Sequence, residues 1–367
     1  MAQPSGRVVI HVDFDYFFAQ IEEREQPEYK GKSVVVCVYS GRTEDSGAVS
    51  TANYVARRFG VRSGMPIVWA KRILKEEDAV FLPVNLVKYR EISDEIMDLL
   101  RTYGDSFEQV SIDEAFLEVT KRVGGDYGAA EKLAGEIKDA ILRRTGLTCS
   151  VGVGPNKLIA KIAANQVKPD GLTVVPSETV NEFLRLLPVG RLYGVGRKTE
   201  KIMVEKGLKT IGDLADHPVD DLVHTFGKTL GLYFHEAANG IDESEVQERG
   251  PPKSLSRIAT LKKDTREPEA LLPVLIELCE ALIRRIEVEG LAYRTVSLVT
   301  ISEDMAMRSK SLTLEDATTD KDVLLRTVKS LLGDYLREST LNLRRIGVRV
   351  SSLSPLAGQR RLSSYMG

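Results

Sequence analysis

The stretch Val8-Val9-Ile10-His11-Val12-Asp13-Phe14-Asp15-Tyr16-Phe17-Phe18 decides how this chain is read. It is an apolar run of β type that ends in carboxylates. A second run, Phe107-Glu108-Gln109-Val110-Ser111-Ile112-Asp113-Glu114-Ala115-Phe116-Leu117, has the same character. Acids set in apolar strand sequence are costly unless their charge is compensated. A divalent cation held by hard oxygen ligands is the cheapest compensation. Two such strands side by side would make a Mg²⁺ site, and Mg²⁺ usually handles phosphates. The chemistry indicated is phosphoryl or nucleotidyl transfer. Residues two apart on a strand share a face, so Asp13 and Asp15 are expected to point the same way. Asp113 and Glu114 are neighbours and serve one site only at a bend or hairpin end. The alternative is that these acids simply cap strand ends.

The chain has 367 residues, too many for one ordinary core, and two to four compact units are expected. A hydrophobic share of 43% and a charged share of 28% are those of a soluble globular protein. No apolar run approaches the ~20 residues that cross a bilayer. The start, Met1 to Arg7, has no signal-peptide apolar core, so a cytoplasmic protein is expected. Cys37, Cys149 and Cys279 are scattered in apolar segments and read as core residues. A net charge of −2 excludes a generic polyanion binder. After Glu338, however, no acid follows, whereas Arg344, Arg345, Arg349, Arg360 and Arg361 do. Such an asymmetry marks either a local polyanion contact or a solvated face.

Between the two acidic runs lie a helix stopped by Pro27, strands over 33–38 and 79–82, and helices over 53–59 and 89–103. Helix 127–144, strand 148–154, helix 157–166 and strand 172–175 follow. This order predicts an α+β, palm-like sheet backed by helices. From 177 to 239 the pattern is helical. Within it, Gly194-Val195-Gly196 followed by Arg197, Lys198 and Lys201 reads as a helix–hairpin–helix whose backbone N–H groups approach a phosphate. An acidic linker over 242–253 closes with Gly250-Pro251-Pro252. Beyond it the order is strand, helix, strand, strand, helix, strand, a βαββαβ unit.

Taken together, these residues resemble the Y-family translesion DNA polymerases, polymerase IV branch, and most of all the archaeal members. The pairing of Val12 to Phe18 with Ser111 to Ala115 carries the resemblance. It extends through Tyr39 to Arg42, Gly47 to Arg57, Gly60 to Pro66, Val151 to Lys157, Ala160 to Ala163 and Lys168 to Gly171. The resemblance implies a right-hand polymerase with a ferredoxin-like palm (1–16 and 83–175), small fingers (17–82) and a helix–hairpin–helix thumb (176–241). A linker (242–253), a βαββαβ little finger (254–352) and a tail (353–367) complete it. The implied activity is low-fidelity, template-directed DNA synthesis with lesion bypass and no proofreading exonuclease. Two rivals stand beside it. One is a haloacid-dehalogenase-type phosphatase with Asp13 as nucleophile, although this motif continues into Tyr16-Phe17-Phe18. The other is a clamp-associated DNA-binding scaffold without catalysis.

The resemblance also assigns residues. Asp13, Asp113 and Glu114, with the Phe14 carbonyl, match the ligands of two Mg²⁺ ions, and Glu114 matches the active-site acid. Asp15 is a candidate by strand geometry but lies outside the family pattern. Tyr16, Phe17, Phe18, Thr51, Tyr54, Arg57 and Lys168 match nucleotide contacts. Phe18 matches the steric gate, a ring against C2′ that leaves no room for a 2′-hydroxyl. Ala48, Ser50 and Gly64 resemble a small-residue roof over the nascent base pair. Gly194, Gly196, Lys198, Arg344 and Arg345 match DNA contacts. Gln359, Leu362, Tyr365 and Met366 resemble a peptide that binds a PCNA-type sliding clamp. The implied partners are primer-template DNA, a dNTP and the clamp, for a monomer away from membranes.

Overall fold

The first acidic run stays extended only as far as Phe14. In a computed structural model, which describes residues 6–248 and 250–356, strand β1 (Val9–Phe14) ends there. Asp15 and Tyr16 turn the chain, Tyr16 in a left-handed conformation at φ 38°, and α1 (Phe17–Glu25) begins. Next come β2 (Ser33–Tyr39), β3 (Gly47–Ala52), α2 (Tyr54–Arg58), α3 (Ile67–Ile73), β4 (Ala79–Pro83) and α4 (Leu86–Arg101). The second acidic run is not one strand. It is a hairpin of β5 (Ser106–Gln109) and β6 (Glu114–Glu118), with residues 110–113 as its turn. Then follow α5 (Thr120–Val123), α6 (Tyr127–Thr145), β7 (Cys149–Gly154), α7 (Lys157–Ala164) and β8 (Leu172–Val174). The helical stretch comprises α8 (Val180–Arg185), α9 (Arg197–Glu205), α10 (Ile211–Ala215), α11 (Val219–Phe226) and α12 (Lys228–Ala238). The rest holds β9 (Ser254–Thr265), α13 (Pro268–Glu289), β10 (Leu291–Ser302), β11 (Met307–Thr318), α14 (Lys321–Glu338), β12 (Leu343–Ser351) and β13 (Ser354–Pro355).

The described residues form two units, one of 6–38, 48–65 and 69–248, the other of 39–47, 66–68 and 250–356. In the first, a sheet of order β5-β6-β1-β7-β8 has β1 at its centre, antiparallel to both β6 and β7. Strand alternation sorts its side chains. Ile10, Val12 and Phe14 join Leu117, Val151, Ile96, Leu100, Ile137 and Ile141 in the main core, under α4 and α6. Val9, His11 and Asp13 face the other way. There Val9 meets Phe116, Ala160 of α7 and Val246.

Two glycines set how close α7 comes to that face. A Cβ on Gly152 would lie 2.0 Å from the Ala160 carbonyl oxygen, and one on Gly154 would lie 2.8 Å from Ile159 Cγ2. Backbone therefore packs on backbone, an approach that only glycine permits. The Asn156 side chain caps α7 by accepting from Ile159 N at 2.9 Å. A small sheet of order β3-β2-β4 and a helical cluster around Ile159, Leu184, Met203, Leu214 and Phe234 complete this unit.

The second unit has the strand order β11-β10-β12-β9, with every neighbouring pair antiparallel. Leu271, Leu275 and Leu282 of α13 and Leu324, Val328 and Leu331 of α14 bury against Val296, Leu298, Ile346 and Val348 of the sheet. This is the βαββαβ order. The three cysteines are buried and form no disulfide, and burial pushes the Cys149 thiol up to about 12. Among the described residues, no helix is long and apolar enough to cross a membrane.

Candidate active site

Register brings the acids together. Asp13 on β1 stands directly opposite Glu114, the first residue of β6, so both side chains leave the same face. Asp113, the last turn residue, is tied to β1 by Phe14 N donating to its carbonyl at 2.9 Å. Its side chain accepts from Ser111 Oγ at 2.5 Å. Burial raises the Asp113 pKa, and the negative charges of Asp13 and Glu114 add to the rise. Three like charges at one sheet end call for cations.

Two lysines supply them here. Lys168 Nζ pairs with Asp13 Oδ1, and Lys161 Nζ of α7 pairs with Glu114 Oε2. His11 Nε2 lies 3.4 Å from the same Glu114 oxygen. The ring is fully buried against Phe116, and the Glu114 contact falls short of good hydrogen-bond geometry. Burial lowers the His11 pKa, against the pull of the nearby Glu114 carboxylate. Burial would raise the Glu114 pKa, but His11 and the Lys161 ammonium outweigh it and hold the carboxyl down to about 2. Among the described residues, no group of three or more His, Cys, Asp or Glu side chains is drawn tightly enough to hold a metal ion. The acids are neighbours, and two of them are turned onto ammonium groups.

The chain leaves β1 before Asp15, so the two-residue period stops applying. Asp15 is buried and accepts from Ser150 Oγ at 2.7 Å, Thr148 Oγ1 at 2.9 Å and Asp170 N at 2.8 Å. Its carboxylate knots the end of β1, β7 and the Lys168 loop together. Asp15→Ala is expected to cost about 3 kcal/mol in a denaturant melt, because the buried Ser150 hydroxyl and two part-buried donors lose their partner. An unchanged unfolding midpoint would show that the knot contributes nothing.

The nucleotide candidates divide. Tyr16 meets Tyr54 edge-on, with ring centroids 5.3 Å apart, and the Arg57 guanidinium lies 5.0 Å over the Tyr54 ring. The Tyr16 hydroxyl donates to Glu23 Oε2 at 3.2 Å. Thr51 is half-buried on β3, beside this cluster in sequence. Phe18 is half-buried and stacks on Tyr89 at 4.3 Å and 15°. The Phe17 ring belongs to the main core at 3% exposure, which leaves its backbone for a nucleotide contact. Gly194, Gly196 and Lys198 are exposed together where α9 begins, with Gly194 at φ +88°. Gly194 also lies so close to Tyr233 that a Cβ would sit 3.0 Å from the ring. In the second unit, Arg344 and Arg345 lie on β12, Arg344 at 3.8 Å from Asp264. Gln359, Leu362, Tyr365 and Met366 lie outside the described residues.

The sequence reading missed His11, Lys157 and Lys161. Signals for them existed. His11 shares the Asp13 face by strand period. Lys157 and Lys161 are the only charges on an otherwise apolar helix, and their spacing of four stacks them on one side.

Comparison with known proteins gives the same direction. The model of the impB/mucB/samB family matches residues 12–165, and that of its C-terminal domain matches 252–363. The model named "DNA polymerase-iota, thumb domain" matches 190–242. DNA polymerase IV of Methanosarcina acetivorans is 47% identical over 365 residues, which is 98% of this chain and 99% of that protein. This chain belongs to the Y-family DNA polymerases. DNA polymerase IV of Nitrosopumilus maritimus is 45% identical over 360 residues, 98% of this chain and 99% of that one. Among solved structures, a Y-family polymerase chimera of Dbh and Dpo4 superposes with TM-score 0.89 at 37% identity, covering 95% of this chain and 99% of that one. An insertion ternary complex of Dbh DNA polymerase gives TM-score 0.69 at 36% identity over 95% of this chain and 99% of that chain. For this polymerase, family membership sets aside the phosphatase built on Asp13 and the scaffold without catalysis.

Proposed function

We propose that this protein extends primers on DNA templates by low-fidelity nucleotidyl transfer and bypasses lesions, with Asp13, Asp113 and Glu114 as the catalytic carboxylates. The observation that carries the proposal is the register of Asp13 against Glu114, with Asp113 in the adjoining turn. Hard oxygen donors under mutual repulsion suit a divalent cation, and Mg²⁺ suits phosphates. Asp13, Asp113, Glu114 and the Phe14 carbonyl would hold two Mg²⁺ ions. When bound, such ions activate the attacking 3′-oxygen and stabilise the leaving oxygen.

The protein's own groups do the rest. Arg57 and Lys168 neutralise the triphosphate, with Tyr16, Tyr54 and Thr51 beside them. Phe18, held by Tyr89, excludes ribose. Exposed backbone at Gly194 and Gly196, with Lys198, takes a DNA phosphate at the start of α9. Arg344 and Arg345 take the template backbone. The chain divides as a palm (1–16 and 83–175), fingers (17–82), thumb (176–241), linker (242–253) and little finger (254–352). It acts as a cytoplasmic monomer, tethered to a PCNA-type clamp by Gln359, Leu362, Tyr365 and Met366.

Running-start extension on undamaged and abasic templates tests this. Mg²⁺-dependent synthesis through the abasic site is expected. Deleting residues 359–367 should erase stimulation by added clamp and leave basal extension intact. Failure to extend any primer would refute the activity, and equal stimulation without the tail would refute the tether.

A further inference from the structure

The placement of Lys161 points to a role beyond positioning. We infer that Lys161 is the resident counter-cation of Glu114 and competes with the divalent metal for that carboxylate. The inference rests on the metal-site reading above. Lys161 Nζ sits on Glu114 Oε2, and the two side chains are only 15% and 18% exposed, so solvent and salt screen the pair weakly. The position is rigid. Gly152 and Gly154 let α7 press on β7, and this fixes where a side chain leaving the helix arrives. Lys157, one turn earlier, is already held by Glu108 at 2.8 Å and does not reach Glu114. Lys161 therefore has to give up Glu114 Oε2 before that oxygen can take a metal.

A second resting place is built in for the displaced ammonium. Lys161 Nζ lies 5.3 Å over the Tyr193 ring, inside cation–π range. Both line a cavity of about 440 Å³ that also includes Phe116, Lys157 and Tyr233. The ammonium can exchange a carboxylate for a ring without becoming an unpartnered buried charge. Tyr193 is itself held in place, its carbonyl accepting from the Tyr233 hydroxyl at 2.7 Å.

This inference makes a prediction of unusual sign. Losing a residue that merely orients a metal ligand weakens metal affinity, by about 10–100-fold. Losing a competing cation strengthens it. Mn²⁺ binding to the full chain, followed by electron paramagnetic resonance without DNA or nucleotide, separates the two. Lys161→Met is expected to bind Mn²⁺ about tenfold tighter than wild type, a change of the size that a neighbouring charge commonly produces. Lys161→Arg keeps the charge and should stay near wild type. Lys157→Met should change affinity less than twofold. Tyr193→Leu removes the second resting place and should weaken binding, but have no effect when combined with Lys161→Met. Thermal melts with and without Mn²⁺ give a readout independent of that titration. Lys161→Met should melt lower than wild type without metal and gain more from its addition. If Lys161→Met binds Mn²⁺ equally or more weakly, Lys161 is not a competitor and the inference is overturned. Asp113→Ala distinguishes this failure from a wrong metal site. If Asp113→Ala binds Mn²⁺ like wild type, the metal-site reading falls as well.

Discussion

Asp113→Ala should reduce primer extension by at least about 10³-fold, beyond the 10–100-fold typical of losing an outer partner of a metal ligand. The reasoning is electrostatic. Asp113 is held by Ser111 Oγ of its own turn and by Phe14 N of β1, which donates to its carbonyl. Its side chain stands against two other carboxylates, which, together with burial, raise its proton affinity. Such a group is unfavourable in the metal-free fold and becomes favourable only with a cation. Removing it should therefore leave the melting temperature unchanged or slightly raised. The functional loss and the stability change should have opposite signs, a recurrent pattern at active sites. Duplex DNA affinity, measured by fluorescence anisotropy, should hold within about twofold, because phosphate contacts carry such binding and Asp113 makes none. Extension at the wild-type rate would remove Asp113 from the catalytic set.

Phe18→Ala should lower the discrimination between dNTP and rNTP by at least about 10²-fold in the ratio of kcat/KM values, with most of the change arising from faster ribonucleotide insertion. A flat ring rejects a 2′-hydroxyl only if it cannot move aside. Phe18 meets that condition: it is stacked on Tyr89, whose hydroxyl donates to Glu22 Oε1 at 2.6 Å. Tyr89 is itself fully buried. The ring thus stands on a support with its own hydrogen bond, which is the rigidity a specificity filter needs. The variant should also lose about 2 kcal/mol of stability, less than a fully buried Phe→Ala change, because Phe18 is half-buried. Tyr89→Leu offers a comparison: it should loosen the ring and relax discrimination by less. Unchanged sugar selectivity in Phe18→Ala would place the gate elsewhere.

How much of this was legible in the sequence depended on how local the signal was. The βαββαβ order of the second unit could be read because each element carries its own period of apolar residues. The helices α13 and α14 stand where that order expects them. The run 107–117 misled because its turn, Val110-Ser111-Ile112-Asp113, keeps a strand-like alternation of apolar and polar residues and lacks glycine and proline. Nothing in its composition marked a hairpin, yet the hairpin is what lets two adjacent acids face one site. The strand β3 went unread because Gly47-Ala48-Val49-Ser50-Thr51-Ala52 is made of small residues without alternation. Asp15 was assigned to the Asp13 face on a period that ends one residue earlier.

The site itself divides along the same line. Which residue types carry the chemistry was written in the chain: carboxylates in apolar strands, aromatic residues after them, and a glycine hairpin followed by basic residues. Those are covalent facts with local periodicity, and they survive without coordinates. Which charges neutralise which was decided by tertiary packing alone. Lys161 meets Glu114 across 47 positions of sequence, and Lys168 meets Asp13 across 155. Those pairings exist because β1 pairs with β6 and because two glycines allow α7 onto β7. Coulomb energy depends on distance in space, and sequence separation does not report it.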